Sequence, residues 1–235
     1  MIVINPEKQI KKMDTLTTKK ILIGLGIFAG LILLLWIAWK ATSTSSQLSA
    51  TPVNFTFDAR DHEMSNPEAG IVLVEYSDYQ CPACKSYEPV VKKLIADHGK
   101  DISFVYRNFP LPGHANAKDA SYAAEAAHQQ KAYDAMKSTL FEKQEEWSAI
   151  KDKGELKKKF VSYAKSLKLD TAQFEKDYDS DPIQKKVEDD IVSGNQALVD
   201  KTPTFFFNGQ QVDNPTYNSL SELITQELKK ETDKK

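Results

Sequence analysis

Cys81 and Cys84 are the only cysteines in a chain of 235 residues, and they stand two residues apart in the stretch YSDYQCPACKSYEPV. Three chemistries use thiols at that spacing: a structural disulfide, half of a zinc site, and a redox-active dithiol. A bridge over two intervening residues closes so small a loop that it removes little chain entropy, which makes it a poor staple. Zinc asks for about four ligands, and His62, His98, His114 and His128 sit at none of the spacings that complete a CxxC half-site. The pair favours redox chemistry, and no metal site is expected.

The elements that must position the pair support this. IVLVEYS, residues 71–77, is β-branched and apolar on both faces, as a central parallel strand is. Pro82 suits the first turn of a helix, and Val90, Val91, Leu94 and Ile95 with Gly99 as a stop carry that helix to about residue 97, with a kink expected at Pro89. A thiol at the start of a helix lies near unpaired backbone N–H groups and the positive end of the helix dipole. Cys81 is therefore expected to have a depressed pKa, and Cys84, one turn further in, to be the protected partner that resolves a mixed disulfide.

DISFVYRNF, residues 101–109, reads as the next strand, joined to the first by a right-handed parallel crossover. From Ala115 to about Ser193 the sequence is helical in pattern and rich in Ala, Lys and Glu. TPTFFFNGQQV, 202–212, then reads as a strand, an Asn208-Gly209 turn and a short return strand, and TYNSLSELITQELKK closes the chain as an amphipathic helix.

The N-terminal segment differs in kind. Residues 21–39, ILIGLGIFAGLILLLWIAW, carry no charge and as a helix would span about 28 Å, close to a bilayer's hydrocarbon core. The lysines at 8, 11, 12, 19 and 20 precede it, and no charge lies between Lys40 and Asp58, so residues 1–20 are expected in the cytoplasm and the rest outside. Residues 40–57, rich in Ser and Thr, look like a flexible tether. Residues 1–40 hold six Lys against two acidic residues, net +4, so with an overall charge of −2 the remaining chain carries −6 and offers no basic stripe for nucleic acid.

Three separated segments, VEYSDYQCPAC, VYRNFPLPGHANAKDASYAAEAA and TPTFFFNG, closely resemble the membrane-anchored DsbA-like branch of the thioredoxin superfamily, including the BdbD-type disulfide oxidoreductases of bacteria. The resemblance runs from about Asp58 to the C-terminus. It implies an α/β thioredoxin fold over 58–235 with a helical insertion at about 114–200, preceded by the one N-terminal transmembrane helix. It also implies that Cys81 is the attacking, solvent-facing cysteine and Cys84 its buried partner, with Pro82 and Ala83 between them at the substrate surface. Thr202-Pro203 resembles the family's cis-proline loop, which packs against the disulfide and offers backbone to a bound peptide.

Glu75 stands where the family carries a buried acid, and burial on both faces would keep such a carboxyl protonated unless it is paired; relay of a proton to and from Cys84 is its expected role. Glu88 matches another acidic family position, with a solvated helix charge as the equal reading. Asp78, Tyr79, Phe109 and Pro110 are expected to shape the surface, and His114 and His128 to lie at a helix start and on a helix surface. Two departures are evident. Pro82-Ala83 lacks the histidine of the most oxidising members, and Lys201 replaces a frequent glycine, where its charge could favour the thiolate.

The implied activity is thiol–disulfide exchange that introduces disulfides into unfolded secreted or envelope proteins, at the bacterial cytoplasmic membrane and without a bound cofactor. Reoxidation would fall to a quinone-linked membrane partner of the DsbB or vitamin-K-epoxide-reductase (VKOR) type. The rival readings are a membrane-tethered reductase or isomerase and a non-catalytic peptide-binding module on the same fold.

Overall fold

The computed structural model describes residues 20, 22, 23, 25, 27, 29–34, 52–57, 61–63 and 65–233. The chain falls into two compact units, residues 1–45 and 46–235. The described residues of the first are helical, with exposed Leu22, Ile23, Leu25, Ile27 and Leu31 to Leu34. Among the described residues no helix is long and apolar enough to cross a membrane. The rest of the expected span at 21–39, and residues 40–51 of the expected tether, lie outside the described residues.

The second unit is built on a five-stranded sheet in the order β1-β3-β2-β4-β5 among the described residues. Strand β1 (His62–Glu63) is short and antiparallel to β3 (Ile102–Asn108) at one edge. At the centre, β2 (Ile71–Ser77) runs parallel to β3 and antiparallel to β4 (Thr204–Phe207), which turns back through Asn208 and Gly209 into β5 (Gln210–Val212). Both turn residues have positive φ, which Asn and Gly tolerate. A Cβ on Gly209 would also meet the carbonyl oxygen of Val53 at 2.3 Å.

Helix α1 (Pro82–His98) makes the β2-to-β3 crossover and continues through Pro89 without ending there. Between β3 and β4 the chain forms α2 (Ala117–His128), α3 (Tyr133–Glu142), the short α4 (Gln144–Trp147), α5 (Lys153–Ser166), α6 (Thr171–Tyr178) and α7 (Asp181–Gln196). Helix α8 (Tyr217–Asp233) closes beside α1, tied by His98 Nε2 and Ser221 Oγ at 2.8 Å and by the Tyr87 hydroxyl donating to Pro215 O at 2.6 Å.

The strands' two-residue period sorts side chains onto two faces. One face sends Ile71, Leu73, Phe104, Tyr106, Phe205 and Phe207 into the main core with α1, α8 and the inserted helices, where each fully buried Leu or Phe contributes about 1.5–3 kcal/mol. The other sends Val74, Tyr76, Val105 and Phe206 against Ala197, Val199 and the partly buried Val53 and Phe55. Here α7 comes so close that a Cβ on Gly194 would lie 2.4 Å from the Phe109 ring.

Residues 52–57, assigned from composition to the tether, thus lie on the folded unit: Val53 N donates to Gly209 O at 2.7 Å, and the Phe55 ring meets Phe206 edge-on at 5.1 Å. The apolar side chains at 53 and 55 alternate as a strand's would, a pattern that the surrounding Ser and Thr residues obscured. Strand β3 is buried at every position, because α7 covers the face that β3's odd-numbered residues present.

Candidate active site

Cys81 is the N-cap of α1, with extended backbone, and Pro82 occupies the first helical turn. The turn before it is held by Asp78, whose backbone carbonyl accepts from Cys81 N at 3.1 Å. The Asp78 carboxylate accepts from Gln80 N at 2.6 Å and Leu111 N at 2.8 Å, and contacts His114 Nδ1 at 2.7 Å. From α4, the Gln144 amide donates to Tyr79 O and Cys81 O at 2.8 and 3.1 Å. The loop bearing the first cysteine is therefore fastened on both sides.

The cysteines are free thiols. Cys84 is 1% exposed, its sulfur accepting from Asp78 N at 3.5 Å, and Cys81 is 7% exposed, its sulfur 3.4 Å from Thr202 O. Cys81 is thus less open than the solvent-facing cysteine expected, because the loop around the Thr202-Pro203 peptide bond, which is cis, lies over it.

Electrostatics separate the two thiols. Cys81 falls from 9.0 to about 5, chiefly because its thiolate accepts from the Cys84 thiol, against the cost of burial, with help from Thr202 and the backbone N–H groups of Cys84 and Ala83. Cys84 moves well above its usual value, first through burial and then because the Cys81 thiolate holds its proton in place. At neutral pH the reduced pair is one thiolate and one thiol.

Beneath the pair, Glu75 is buried, and burial raises its carboxyl from 4.5 to about 7; Lys137 and Ser77 oppose that rise and Glu88 adds to it. Glu88 is itself buried on α1, where Lys137 Nζ of α3 reaches its Oε2 and Lys92 stands 3.5 Å from its Oε1. The solvated-charge reading of Glu88 therefore gives way: a helix residue seven positions after Cys81 points inward beneath the inserted helices. Lys201 is exposed, the groups acting most on Cys81 do not include it, and its carbonyl accepts from Thr204 Oγ1 at 2.8 Å. Pro82 and Ala83 face the entrance, with Ala83 exposed, and a shallow pocket beside Pro203 is lined by Tyr87, Lys201, Thr204 and Gln211.

Three expectations for neighbouring residues are corrected, those for Asp78, Tyr79 and Phe109. Asp78 and Tyr79 are fully buried and Phe109 nearly so, because the inserted helices and α7 cover what a bare thioredoxin sheet would expose. His114 lies before α2 and serves the Asp78 carboxylate. His128, the last residue of α2, packs its ring 4.4 Å from that of His62.

Sequence reasoning missed Ser77, Lys137 and Gln144. Lys137 sits on the same helical face as Tyr133, Met136, Leu140 and Phe141, an inward stripe in which a lysine needs a buried acid. That stripe was the available signal.

A thioredoxin family model matches residues 59–226. Among curated proteins, the chain is 31% identical over 177 residues to the probable disulfide bond formation protein D of Bacillus anthracis, covering 71% of this chain and 78% of that protein. It is 30% identical over 201 residues to Na(+)/H(+) antiporter NhaA 1 of Mycobacterium sp. (strain KMS), covering 81% of this chain and 31% of the antiporter. The chain thus spans about a third of the length of the antiporter relatives it matches. In fold it is similar to the crystal structure of oxidised BdbD from Bacillus subtilis, with a TM-score of 0.63 and 24% identity over 72% of this chain and 94% of that one.

Proposed function

Because the chain belongs to the thioredoxin family, and within it to the DsbA/BdbD type, we propose that it is an extracytoplasmic thiol–disulfide oxidoreductase that introduces disulfides into secreted or envelope proteins. The observation that carries this reading is the split between the thiols: Cys81 lowered to about 5 beside Cys84 raised far above its usual value. A thiol pair ionised in this way leaves easily from Cys81 and holds its second proton on Cys84.

The reaction proceeds from the Cys81–Cys84 disulfide. A substrate thiolate attacks Cys81 Sγ, the Cys81–Cys84 bond breaks, and Cys84 leaves and takes up a proton. A second substrate thiolate then attacks the substrate sulfur of the mixed disulfide, and Cys81 leaves as its thiolate. The substrate has lost two electrons and gained a disulfide, and the enzyme holds both electrons as one thiolate and one thiol. Glu75, buried and poised at about 7, supplies and recovers the proton of Cys84. A Cys81 pKa below neutrality stabilises the reduced enzyme and shifts the pair toward the oxidising side.

The substrate backbone docks along Thr202-Pro203 and over Pro82 and Ala83. No bound cofactor takes part, and the electrons pass to a quinone-linked membrane protein of the DsbB or VKOR type. The apolar run at 21–39 and its lysine-rich N-terminal flank support anchoring in the bacterial cytoplasmic membrane with the folded unit outside.

The test is the equilibrium reduction potential of the pair in glutathione buffers, alongside oxidation of a dithiol peptide by the full chain. A potential near about −120 mV with peptide oxidation supports a disulfide donor. A value near about −270 mV would make the protein a reductant, and absence of exchange would leave a peptide-binding module.

A further inference from the structure

Cys84 leaves the disulfide as the thiolate of a thiol whose pKa burial has pushed far up, so its departure is slow unless a proton arrives with it. Glu75 is the buried acid poised to give one, but its position does not by itself give a route. The two Cα atoms of Glu75 and Ser77 are separated by about 7 Å along the strand, and the two-residue period puts both side chains on the face that packs against α1. The next residue, Asp78, donates its backbone N–H to Cys84 Sγ at 3.5 Å. Ser77 Oγ is the side-chain group that acts on both the Glu75 carboxyl and the Cys84 thiol.

That hydroxyl is buried with no exposed surface and, like Glu75 Oε2 and the Tyr106 hydroxyl beside it, makes no well-formed hydrogen bond, although it stands close enough to Glu75, Cys84 and Tyr106 to act on each. Tyr106 stands opposite Glu75 in the sheet register, so the three orphaned groups share one patch of the same face. An unsatisfied buried hydroxyl costs about 1–3 kcal/mol. The hydroxyl is near enough to Glu75, Cys84 and Tyr106 to oppose, at each, the upward pull of burial on its pKa.

We propose that Ser77 Oγ is the proton relay between Glu75 and Cys84. As the disulfide opens, the Ser77 hydroxyl gives its proton to the departing Cys84 sulfur and receives one from the Glu75 carboxyl, leaving a Glu75 carboxylate that solvent later reprotonates. When the pair is reoxidised the same path runs in reverse. The groups facing this path are Glu88 and Cys84 from α1, Lys137 from α3, Tyr106 from β3 and the apolar Phe205 opposite Glu75 in β4. Of these, Lys137 is the cation that steadies the carboxylate formed in transit.

The inference rests on the exchange reaction proposed above, and one experiment separates the two. The oxidised full chain is mixed with dithiothreitol, and free thiols are trapped by alkylation at successive times between pH 5.5 and pH 8.5, for the wild type, Ser77→Ala, Ser77→Thr and Glu75→Gln. Below pH 7, where Glu75 holds its proton, Ser77→Ala and Glu75→Gln are each expected to slow the reaction by about a hundredfold, the low end of what positioned proton transfer contributes. The deficit closes as pH rises past 7, the double variant is no slower than either single one, and Ser77→Thr, which keeps a hydroxyl, restores the rate.

A Ser77→Ala rate that matches the wild type, a deficit independent of pH, or a Ser77→Thr rate as low as that of Ser77→Ala would overturn the relay. If Glu75→Gln shows the pH-dependent loss while Ser77→Ala does not, the relay alone fails. A wild-type disulfide that dithiothreitol does not open would overturn both the relay and the exchange reading.

Discussion

Buried charge occurs on both sides of β3, and the two sets are built differently. On the side away from the thiols, Arg107 donates to both oxygens of Asp61 at 3.1 Å, to Thr56 O at 2.6 Å and to Ser193 Oγ at 2.6 Å. Lys186 contacts Asp190 at 2.5 Å, and Asp190 accepts from the backbone and side chain of Asn108 at 3.1 and 3.0 Å; at the end of β3, Asn108 also donates to Glu125 at 2.6 Å, which contacts His62 at 2.8 Å on the Tyr106 face. On the thiol side, Glu75 Oε2, Ser77 Oγ, Glu88 Oε1 and the Tyr106 hydroxyl lack hydrogen bonds. The first set joins β3 to α7 and the 52–57 segment with both oxygens of Asp61 and of Asp190 engaged, while His62 Nδ1 and Asn108 Oδ1 lack partners. The second leaves donors and acceptors free around a sulfur that must gain and lose a proton. Unpaired polar atoms occur in both sets, so what distinguishes the second is that its unpaired groups surround the thiol pair, whereas the first ties its carboxylates to fixed cations and amides.

If that distinction holds, substitutions on the two sides fail differently. The largest effect is at the sulfur itself: Cys81→Ser is expected to abolish dithiol peptide oxidation while thermal unfolding of the reduced protein changes little, a result checked by assay and calorimetry together. Next come the buried lysines. Lys186→Met and Lys137→Met each strand a buried carboxylate, Asp190 and Glu88 respectively, and each is expected to cost about 3–5 kcal/mol in urea unfolding. Only Lys137→Met should also change the pH profile of exchange, moving its inflection upward because Lys137 is the main charge holding the Glu75 pKa down. An equal shift from Lys186→Met would erase the contrast between the two sides.

Glu75 gives a finer test. Its carboxyl stands at about 7 in the fold against 4.5 as its ordinary value, so between those values the folded chain keeps a proton that the unfolded chain has released. Stability therefore falls as pH rises through that window, and the loss is complete above about pH 7. Glu75→Gln removes this dependence, so the stability of the variant relative to the wild type should rise by about 3 kcal/mol from pH 4 to pH 8. The smallest effect belongs to an exposed pair: Lys85 Nζ meets Glu145 Oε1 at 2.6 Å at the surface, and Lys85→Ala should leave the urea unfolding midpoint and the exchange rate essentially unchanged.

Much of this could be read from the chain. The apolar run of β2, the proline after Cys81 and the Asn208-Gly209 turn each act locally, so their elements lie where periodicity and turn chemistry put them. The thiols and Glu75 stand in one contiguous stretch, the thiols legible from their spacing and Glu75 from its match to the family's buried acid in an otherwise apolar strand. What escaped notice depends on contacts across long separations. Lys137 finds Glu88 49 residues away and Gln144 finds Cys81 63 residues away, through an insertion whose helices are plain in pattern but whose docking is not. Asp78 resembled a surface turn residue because a carboxylate in a loop usually is one, and only the folded chain brings Leu111 and His114 to it. Ser77 gave no signal in sequence, since a serine at a strand end is common and its meaning lies in being unpaired.

The central claim is that the fold makes Cys81 a thiolate at neutral pH while keeping Cys84 protonated. The direct measurement is the ultraviolet thiolate absorbance of the reduced full chain, titrated from pH 3 to pH 10 with the oxidised chain as blank. The account predicts one transition centred near pH 5 with the amplitude of a single thiolate. A transition near the ordinary thiol value of about 8.5, or an amplitude of two thiolates below pH 8, would contradict it.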